Sequence, residues 1–330
     1  MLDQKASVAD LESENNELLN LRPESFQDYI GQEKLQEILK ISIAAAKERN
    51  DLASLGHIML YGPPGLGKTS CAQIIAKELG TKAHIFSAPA LERPKDILGI
   101  LLSVQEGDVV FVDEIHRLNK ITEELLYPAL EDFEVDLNSG KADSARVMRF
   151  KLNKFILVGA TTKLGFLSAP LRDRFIHLYR MQYYSVDELV QIIDKNAVKL
   201  KVNIDKAAKK LLASCSRGTP RIANRLLRLI RDFAHYKQEE QISKNTVEAA
   251  LKLYEINEAG LDAMDQKILT TLLEKYDGGP CGLDTIAMLV GEDKATIEDY
   301  YEPYLVQSGY LLRTPRGRQI TQKTREFLTN

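Results

Sequence analysis

The spacing of hydrophobic positions changes character twice along the chain. Between residues 56 and 174, short apolar runs typical of buried strands alternate with segments of helical period. The predicted strands are 57–61, 83–87, 109–112 and 155–158, and the predicted helices between them include 69–79 and 122–130. Strands that alternate with helices predict a parallel sheet that is covered by helices on both faces.

Beyond residue 185 the strand pattern disappears. Helices follow one another over 185–254 with N-cap residues at Ser185, Asp205 and Thr219, which predicts an all-helical domain. In the last segment the predicted elements are three helices (263–275, 285–290 and 294–307) followed by a hairpin of 310–313 with 318–321. Three helices and a two-stranded hairpin predict a winged helix-turn-helix.

Composition limits the class of protein. Of the 330 residues, 44% are hydrophobic and 28% are charged, as in an ordinary globular protein with sizeable cores. Residues 1–20 carry five acids against Lys5, and we expect a disordered tail there. The chain is therefore predicted to comprise this tail, an α/β domain (21–184), a helical domain (185–255) and a winged helix (256–330).

Several features favour a cytoplasmic protein. Three cysteines lie far apart without C-x-x-C spacing, which argues against a disulfide framework or a zinc site. The longest apolar run, 97–104, is far shorter than the ~18 residues of a membrane helix. The N-terminus is acidic and polar, unlike a signal peptide. We therefore expect a cytoplasmic location and no membrane partner.

A glycine-rich segment gives the strongest chemical signal. Residues 62–69 read GPPGLGKT, which matches G-x-x-x-x-G-K-[ST] in full and lies between an apolar strand and a helix. The glycines that would let backbone N–H groups surround phosphate oxygens are Gly62, Gly65 and Gly67. Lys68 is predicted to reach the β- and γ-phosphates, and Thr69 to supply an oxygen to Mg²⁺. Both flanks favour an ATP and Mg²⁺ site over a simple strand-to-helix turn.

Two carboxylates follow a buried strand. Asp113 and Glu114 come directly after the apolar run 109–112. We expect Asp113 to hold Mg²⁺ through water and Glu114 to polarise the attacking water. Acid pairs after strands often only cap the next helix, but the P-loop upstream favours catalysis. Thr162, which follows a further strand, is a weaker candidate for orienting that water or sensing the γ-phosphate.

Three arginines have alternative roles that the residue pattern leaves open. Arg172 and Arg174 flank an aspartate, and either they form surface ion pairs or one of them completes a neighbouring subunit's site in a ring of ATPases. Arg221 starts a helix within the basic stretch 195–237. It either lies on a solvated helix face or folds back over the phosphates.

Nine short segments together carry a resemblance to a known family. They are LRP (21–23), DYIGQ (28–32), GPPGLGKT (62–69), DEIHRL (113–118), GATT (159–162), PLRDRF (170–175), GTPRIANR (218–225), EPYL (302–305) and RTPRGR (313–318). These segments resemble the AAA+ ATPases and, among them, the RuvB family of bacterial Holliday-junction branch-migration motors. The resemblance runs from about Leu21 to the C-terminus.

The resemblance implies an architecture and a set of partners. The fold would be a P-loop AAA+ core with a parallel sheet, an all-α lid domain and a C-terminal winged helix. The protein would form a homohexameric ring that threads duplex DNA and hydrolyses ATP. A RuvA-like protein would load it on the junction, and a RuvC-like resolvase is a further implied partner.

The resemblance also implies roles for residues at matching positions. Leu21 and Arg22 would line the adenine pocket. The residues that would hold the phosphates and Mg²⁺ are Gly65, Lys68, Thr69 and Ser70. The segment that the family places near nucleotide is Glu131, Asp132 and Phe133. Arg174 would be the arginine finger, Tyr184 and Arg221 would close the site, and Arg313 and Arg318 would touch DNA.

Charge places the expected DNA contact on the wing. The predicted helix 294–307 carries three acids (Glu298, Asp299 and Glu302) against Lys294, so phosphates would repel it. The arginines expected to project from the hairpin are Arg313, Arg316 and Arg318. Phosphate contacts without reading of base edges suit a motor that passes over any sequence.

A second hairpin, 135–150, is the candidate docking site for the RuvA-like partner. Apolar residues flank a polar tip at 138–144, and exposed apolar hairpins often mark an interface. Asn138 and Ser139 occupy positions that are usually aliphatic in the family. The expected anchors are therefore Leu137, Val147 and Met148. The alternative is that the apolar residues pack on their own domain.

Two other functions share part of this pattern. A clamp-loader subunit or replication initiator would use the P-loop and acid pair as a nucleotide switch acting on DNA. A DNA-binding regulator with a degenerate ATPase is a third possibility, which the complete set of catalytic residues disfavours. The number of ATP molecules hydrolysed distinguishes a motor from a clamp loader or initiator. A motor hydrolyses many ATP molecules for each DNA end displaced, and a loader hydrolyses about one per event.

Overall fold

The computed structural model describes residues 20–139 and 146–329 of the chain. The predicted tail up to residue 19 and most of the predicted hairpin tip lie outside the described residues. The chain divides into two compact units after Tyr184.

A parallel sheet forms the centre of the first unit. The strands of this unit are β1 (Ile58–Tyr61), β2 (Ala83–Ser87), β3 (Val109–Asp113), β4 (Glu134–Ser139), β5 (Arg146–Lys151), β6 (Ile156–Thr161) and β7 (His177–Arg180). Five of them pair in parallel in the order β2-β3-β6-β1-β7. Every residue of β6 is buried, as expected of a central strand that is covered on both faces. The predicted parallel sheet is confirmed.

Helices alternate with these strands. They are α1 (Glu33–Glu48), α2 (Lys68–Leu79), α3 (Pro94–Ser103), α4 (Lys120–Glu131) and α5 (Ala169–Arg172). The predicted helices 69–79 and 122–130 correspond to α2 and α4, each with slightly wider bounds. The hydrophobic pattern did not predict the edge strand β7, whose residues alternate between partly buried and exposed.

A buried histidine lies at the amino end of β1. His57 is 5% exposed, and its Nδ1 accepts the N–H of Leu157 at 3.0 Å. Its Nε2 lies 2.9 Å from the carbonyl oxygen of Leu130 at the end of α4. Because Nδ1 accepts a hydrogen bond, the proton of the ring is on Nε2 and the imidazole is neutral. The ring thus joins β1, β6 and α4.

The second unit begins with a helical domain. Its helices are α6 (Val186–Lys199), α7 (Lys206–Ser214), α8 (Pro220–Tyr236) and α9 (Lys244–Leu253). The side chains of Ser185, Asp205 and Thr219 each accept an N–H from the first turn of the helix that follows. These contacts confirm the three predicted caps, which satisfy N–H groups that have no partner within the helix.

A winged helix completes the second unit. Its elements are α10 (Ala263–Tyr276), α11 (Leu283–Val290), α12 (Lys294–Thr296), a π-turn (Ile297–Tyr301), α13 (Glu302–Gln307), β8 (Leu311–Thr314), β9 (Gly317–Ile320) and α14 (Gln322–Thr329). The predicted helix 294–307 is therefore interrupted by a π-turn. Pro303 explains this difference, since proline cannot donate to the carbonyl four residues before it and its ring clashes there. The winged helix itself is confirmed.

Arg217 fastens the helical domain to the winged helix. Its buried guanidinium donates to the carbonyl of Gly260 at 2.7 Å and to Asp262 at 3.1 Å. It also forms an ion pair with the fully buried Asp265 and lies 5.0 Å from the ring centroid of Tyr304. These contacts hold the connection between α9 and α10 against the turn that precedes α8.

Candidate nucleotide site and the wing

The sheet brings three predicted segments to one edge. The P-loop follows β1, Asp113 ends β3 and Thr161 ends β6. Because β6 lies between β1 and β3, the carboxyl ends of these strands are neighbours. Tyr61 is in register with Thr161, which aligns the start of the P-loop with the threonines. Ligands of open α/β sheets bind at this edge.

The P-loop has a backbone that glycine permits. Gly62, Gly65 and Gly67 have φ of 136°, 81° and 96°, values that side chains disfavour. Gly67 is also the N-cap residue of α2 and, having no side chain, gives no capping hydrogen bond to the N–H groups of the first helical turn. Lys68, Thr69 and Ser70 form this turn. The arrangement suits an anion such as a phosphate group.

Lys68 is held within the loop. Its side chain is 7% exposed, and its Nζ donates to the carbonyl oxygens of Gly62 and Pro63, each at 2.9 Å. The ammonium group is therefore already directed to the inside of the loop that would hold the β- and γ-phosphates.

Residues predicted around the base and ribose lie beside the P-loop. The hydroxyl of Tyr184 donates to the carbonyl of Leu66 at 3.3 Å. Leu21 is 4% exposed, and Arg22 donates to Gln73 of α2 at 3.4 Å. Arg22 and Gln73 line a cavity of about 340 Å³. These contacts place Tyr184 against the P-loop and Arg22 against the helix that follows it.

Tyr29 is a further residue of this region that sequence reasoning did not single out. A Cβ on Gly67 would lie 3.1 Å from its hydroxyl oxygen, so the ring packs closely against the P-loop at this glycine. Burial raises the pKa of Tyr29 well above its ordinary value, and the nearby Tyr184 raises the pKa further. The hydroxyl therefore remains neutral.

The carboxylate of Glu114 is held by two neighbours. Its backbone is left-handed, with φ of 49°, and one carboxylate oxygen lies 3.2 Å from the hydroxyl of Thr162 and 3.2 Å from Nδ1 of His116. The hydroxyl of Thr161 is 2.8 Å from the same ring nitrogen. Asp113 accepts the N–H of Glu114 at 3.0 Å. The structure thus brings Asp113, Glu114 and Thr162 together. It also adds His116 to this group, and the only signal for His116 in the sequence is its position two residues after Glu114.

Arg174 lies at the opposite edge of the sheet. It forms an ion pair of 2.9 Å with Glu131, which ends α4. The carbonyl before Glu131, that of Leu130, bonds to His57 at the amino end of β1, and the N–H of His177 donates to the carbonyl of His57 at 3.3 Å. The length of β1, roughly 13 Å at about 3.3 Å per residue, separates this group from the P-loop. Arg174 therefore cannot reach the phosphates of its own subunit.

Phe133 belongs to the same edge. Its ring centroid lies 6.1 Å from that of His57 and 5.8 Å from that of Phe155, which precedes β6. The segment of Glu131, Asp132 and Phe133 therefore lies with Arg174 and away from the P-loop of the same chain.

The wing arginines differ in exposure. The side chain of Arg318 is only 12% exposed, because it donates at 2.9 Å and 3.1 Å to the buried carboxylate of Glu302. Arg313 is 57% exposed and pairs with Glu298, while Arg316 is exposed in the turn. The expectation that all three project from the hairpin is wrong for Arg318, since a buried carboxylate requires a cation beside it.

The hairpin of β4 and β5 is divided between core and surface. Val135 is fully buried in the core of the first unit, and Phe150 packs against that core. Met148 is 48% exposed, and it stands opposite Leu137 in the strand register. Val147 stands opposite Asn138. The alternative that these residues pack on their own domain therefore holds for the base of the hairpin.

Arg221 lies in the second unit. It is an exposed residue of the first turn of α8, directly after the capping residue Thr219 and Pro220. An exposed cation near a helix start is unusual, since helix dipoles favour anions there. The dipole of α8 therefore does not stabilise its charge.

The fold and the site define a P-loop ATPase of the AAA+ class with a helical lid and a winged helix. Three family models match the chain: the P-loop domain of the Holliday junction DNA helicase RuvB over residues 21–181, the RuvB AAA lid domain over 184–257 and the RuvB C-terminal winged helix domain over 258–329. The chain belongs to the RuvB family. This confirms the predicted fold class and the predicted family.

Relatives of this chain are similar along most of their length. A Holliday junction branch migration complex subunit RuvB from Synechocystis is 53% identical over 309 residues, which are 94% of this chain and 85% of that protein. The subunit of the same name from Trichormus variabilis is 51% identical, over 92% of this chain and 82% of its own. The solved structure of the Thermotoga maritima RuvB Holliday junction branch migration motor is 44% identical, with a TM-score of 0.83 over 94% of this chain and 98% of that one.

Proposed function

We propose that this chain is an ATP-driven motor that branch-migrates Holliday junctions as a homohexameric ring. One observation supports the ring most directly: the P-loop and Arg174 lie at opposite edges of one sheet. An arginine finger at the far edge acts only on a neighbour's nucleotide. In a closed ring every subunit supplies a finger to the next subunit and receives one.

The P-loop binds the triphosphate. Backbone N–H groups of the loop and the Lys68 ammonium hold the phosphate oxygens, and Ser70 adds a hydroxyl in the same helical turn. Leu21, Arg22 and Tyr184 enclose the base and ribose, and Arg221 closes the site from the lid. Thr69 and Asp113 would hold Mg²⁺, because a hydroxyl and a carboxylate are the hard oxygen ligands that this ion prefers. The ion supplies positive charge at the β- and γ-phosphates.

Glu114 prepares the attacking water. In the described geometry its carboxylate is occupied by Thr162 and His116. It polarises water after exchanging at least one of these contacts, while Thr162 remains beside the γ-phosphate. Arg174 of a neighbouring subunit then stabilises the charge on the transferred phosphoryl group. The segment Glu131–Phe133 reaches the same interface, since it lies beside Arg174.

The wing holds duplex DNA without reading its sequence. Arg313 and Arg316 are exposed and contact phosphates, while Arg318 supports the wing through Glu302 and contacts DNA at its exposed edge. Leu137, Val147 and Met148 on the outer part of the β4–β5 hairpin dock a RuvA-like junction-binding protein. A RuvC-like resolvase shares the junction. With these roles goes a proposed cytoplasmic location. Separately, among the described residues no helix combines the length and apolar character needed to cross a membrane.

Each of the three domains has a separate role. The ATPase core is 21–184, the lid is 185–255 and the DNA-binding head is 256–330. The match of separate RuvB models to 21–181, 184–257 and 258–329 supports this division.

The test is the ATPase rate measured with and without a synthetic four-way junction, and with and without a RuvA-like partner. A motor turns over many ATP molecules for each DNA arm displaced, and the junction together with the partner should stimulate it most. A turnover of about one ATP per event would instead support the alternative of a clamp-loader or initiator switch.

A further inference from the structure

The guanidinium of Arg174 is fixed on three sides within its own subunit. Its Nη1 donates to the carbonyl of Pro170 at 2.6 Å, and its Nε donates to the carbonyl of Tyr127 at 3.2 Å. Its Nη2 donates to Glu131 at 2.9 Å. The carbonyl of Tyr127 lies near the C-terminal end of α4, where the helix dipole also favours a cation.

An aromatic ring supports the same guanidinium. The Arg174 Cζ atom lies 4.6 Å from the centroid of the Tyr127 ring, which is the distance of a cation–π contact. The ring on one side and the three hydrogen bonds together restrict the rotation of the guanidinium. They therefore limit the directions in which Arg174 can present its remaining N–H donors to a phosphate group.

The hydroxyl of Tyr127 fixes the ring itself. It donates to Glu123 at 2.9 Å and lies 3.2 Å from the hydroxyl of Ser168. Ser168 also donates to Glu123 and caps α5, the short helix that leads into Arg174. Tyr127 thus contacts three groups: Glu123 on its own helix α4, Ser168 at the start of α5, and the guanidinium of Arg174.

We propose that Tyr127 is a positioning residue for Arg174, acting on ATP hydrolysis in the neighbouring subunit and not in its own. The inference rests on the proposed role of Arg174 as a finger. Glu123 and Ser168 act through Tyr127, because they hold its hydroxyl. No feature of the sequence marks Tyr127, since it lies 47 residues from Arg174.

The test places one substitution on either side of an interface. Subunits with Lys68→Ala keep the finger but lack a working site, and subunits with Arg174→Ala keep the site but lack the finger. Mixing the two restores hydrolysis where an intact finger faces an intact site. Tyr127→Leu is then added either to the finger donor (with Lys68→Ala) or to the site acceptor (with Arg174→Ala).

The two arms should differ. On the donor, Tyr127→Leu should lower the restored rate by roughly tenfold to a hundredfold, the cost of a displaced catalytic group, with little change in the KM for ATP. On the acceptor it should leave the restored rate as it was. Tyr127→Phe keeps the ring and Ser168→Ala removes one partner of the hydroxyl, so each should cause a smaller loss on the donor arm alone.

Three results would contradict the account. Equal losses on both arms, or no loss on either for any of the three variants, would overturn the positioning role and leave the finger intact. A mixture of the two parent variants that regains no activity would overturn the finger in trans and the inference with it. Tyr236→Leu, at a residue that is 80% exposed on the lid, is the matched control for handling and mixing.

Discussion

The backbone conformation of Glu114 determines the direction of its carboxylate. A left-handed backbone at a residue with a side chain costs roughly 1–2 kcal/mol, and such strain is found where function requires it. Here it turns the carboxylate toward Thr162 and His116 and away from the strand direction followed by Asp113. The two carboxylates therefore point in different directions, as the proposed metal-holding role of Asp113 and water-polarising role of Glu114 require.

Two substitutions should separate nucleotide binding from hydrolysis. Lys68→Ala should abolish ATP binding, since it removes the charge that neutralises the β/γ oxygens. Glu114→Gln should bind ATP and fail to turn over, because only the polarisation of water is lost. Binding of a fluorescent ATP analogue and release of phosphate measure the two steps. Wild-type hydrolysis in both variants would show that the site is assigned incorrectly.

His57 should make the ATPase core sensitive to acid. Burial lowers its pKa below the ordinary value, and its Nδ1 already accepts a hydrogen bond. As the pH falls below about 6.5, His57 becomes protonated in the unfolded chain but stays neutral in the folded chain. The free energy of unfolding should then fall by up to about 1.4 kcal/mol per pH unit until the folded pKa is reached, and be unaffected above pH 7.

Urea unfolding followed by circular dichroism at pH 5 to 8 measures this dependence. His57→Gln removes the titration, so its stability should depend less on pH between 6.5 and 5 than that of the wild type. Parallel curves for the two proteins would mean that another group controls the acid response.

At the scale of elements, the wing and the helix before it form one charged unit. Glu302 and Glu298 on and before α13 face Arg318 and Arg313 on the wing strands. Two of the three acids that the sequence presents as repelling DNA, Glu298 and Glu302, are therefore paired with arginines of the wing. The exposed end of the hairpin, with Arg316, carries positive charge that has no such role in the fold.

Arg318 and Arg316 should consequently differ when replaced by alanine. Arg318→Ala removes the nearer cation of the buried Glu302 carboxylate and leaves only Arg313, whose Nε lies 3.5 Å away, so it should lower the free energy of unfolding by up to about 3 kcal/mol. Arg316→Ala should leave stability unchanged, weaken binding to unrelated duplexes about equally and flatten the salt dependence of binding. Thermal unfolding and binding titrations at several salt concentrations measure the two effects.

The double variant Arg318→Ala with Glu302→Gln is the control, since it removes the uncompensated charge and should regain part of the stability. A loss of DNA binding confined to one sequence would contradict phosphate contact by the wing.

The β4–β5 hairpin should dock the partner through its outer part. Leu137→Glu with Met148→Glu should leave the ATPase rate on plain duplex intact, while stimulation by a RuvA-like protein on a four-way junction disappears. The buried Val135 supplies the contrast, because Val135→Ala should destabilise the core instead. If the double glutamate variant loses its basal rate or unfolds, the hairpin is core throughout and the partner binds elsewhere.

Elements and motifs were predictable where one stretch of sequence determines them. The P-loop, the acid pair, the caps at Ser185 and Asp205 and the wing all follow from local pattern. Contacts between distant segments were not predictable. The spacing of hydrophobic residues does not show that Arg318 pairs with Glu302 or that the ring of Tyr127 contacts Arg174. The π-turn before α13 depends on how Pro303 is accommodated in the helix. The strand β7 contains too many polar residues to be predicted from the hydrophobic pattern.

For the whole molecule, the parallel sheet has two edges with different chemistry. The carboxyl edge carries the P-loop, Asp113, Glu114 and Thr162, and the amino edge carries Arg174 and Glu131. A finger is worth roughly 10³–10⁵ in turnover. If Arg174 is the finger, as we propose, a single subunit lacks the group that contributes most to the rate, and we expect assembly into a ring to supply it. In the second unit, Arg217 ties the helical domain to the winged helix.

Branch migration by mixed subunits tests this division between subunits most directly. Arg174→Ala and Lys68→Ala proteins are each assayed alone and in equal mixture on a synthetic four-way junction, with ATP hydrolysis and strand displacement measured together. We expect each variant alone to be inactive, with Arg174→Ala still binding ATP, and the mixture to recover part of both activities. Full turnover by Arg174→Ala alone, or a mixture as inactive as its components, would contradict a site that is completed across the subunit boundary.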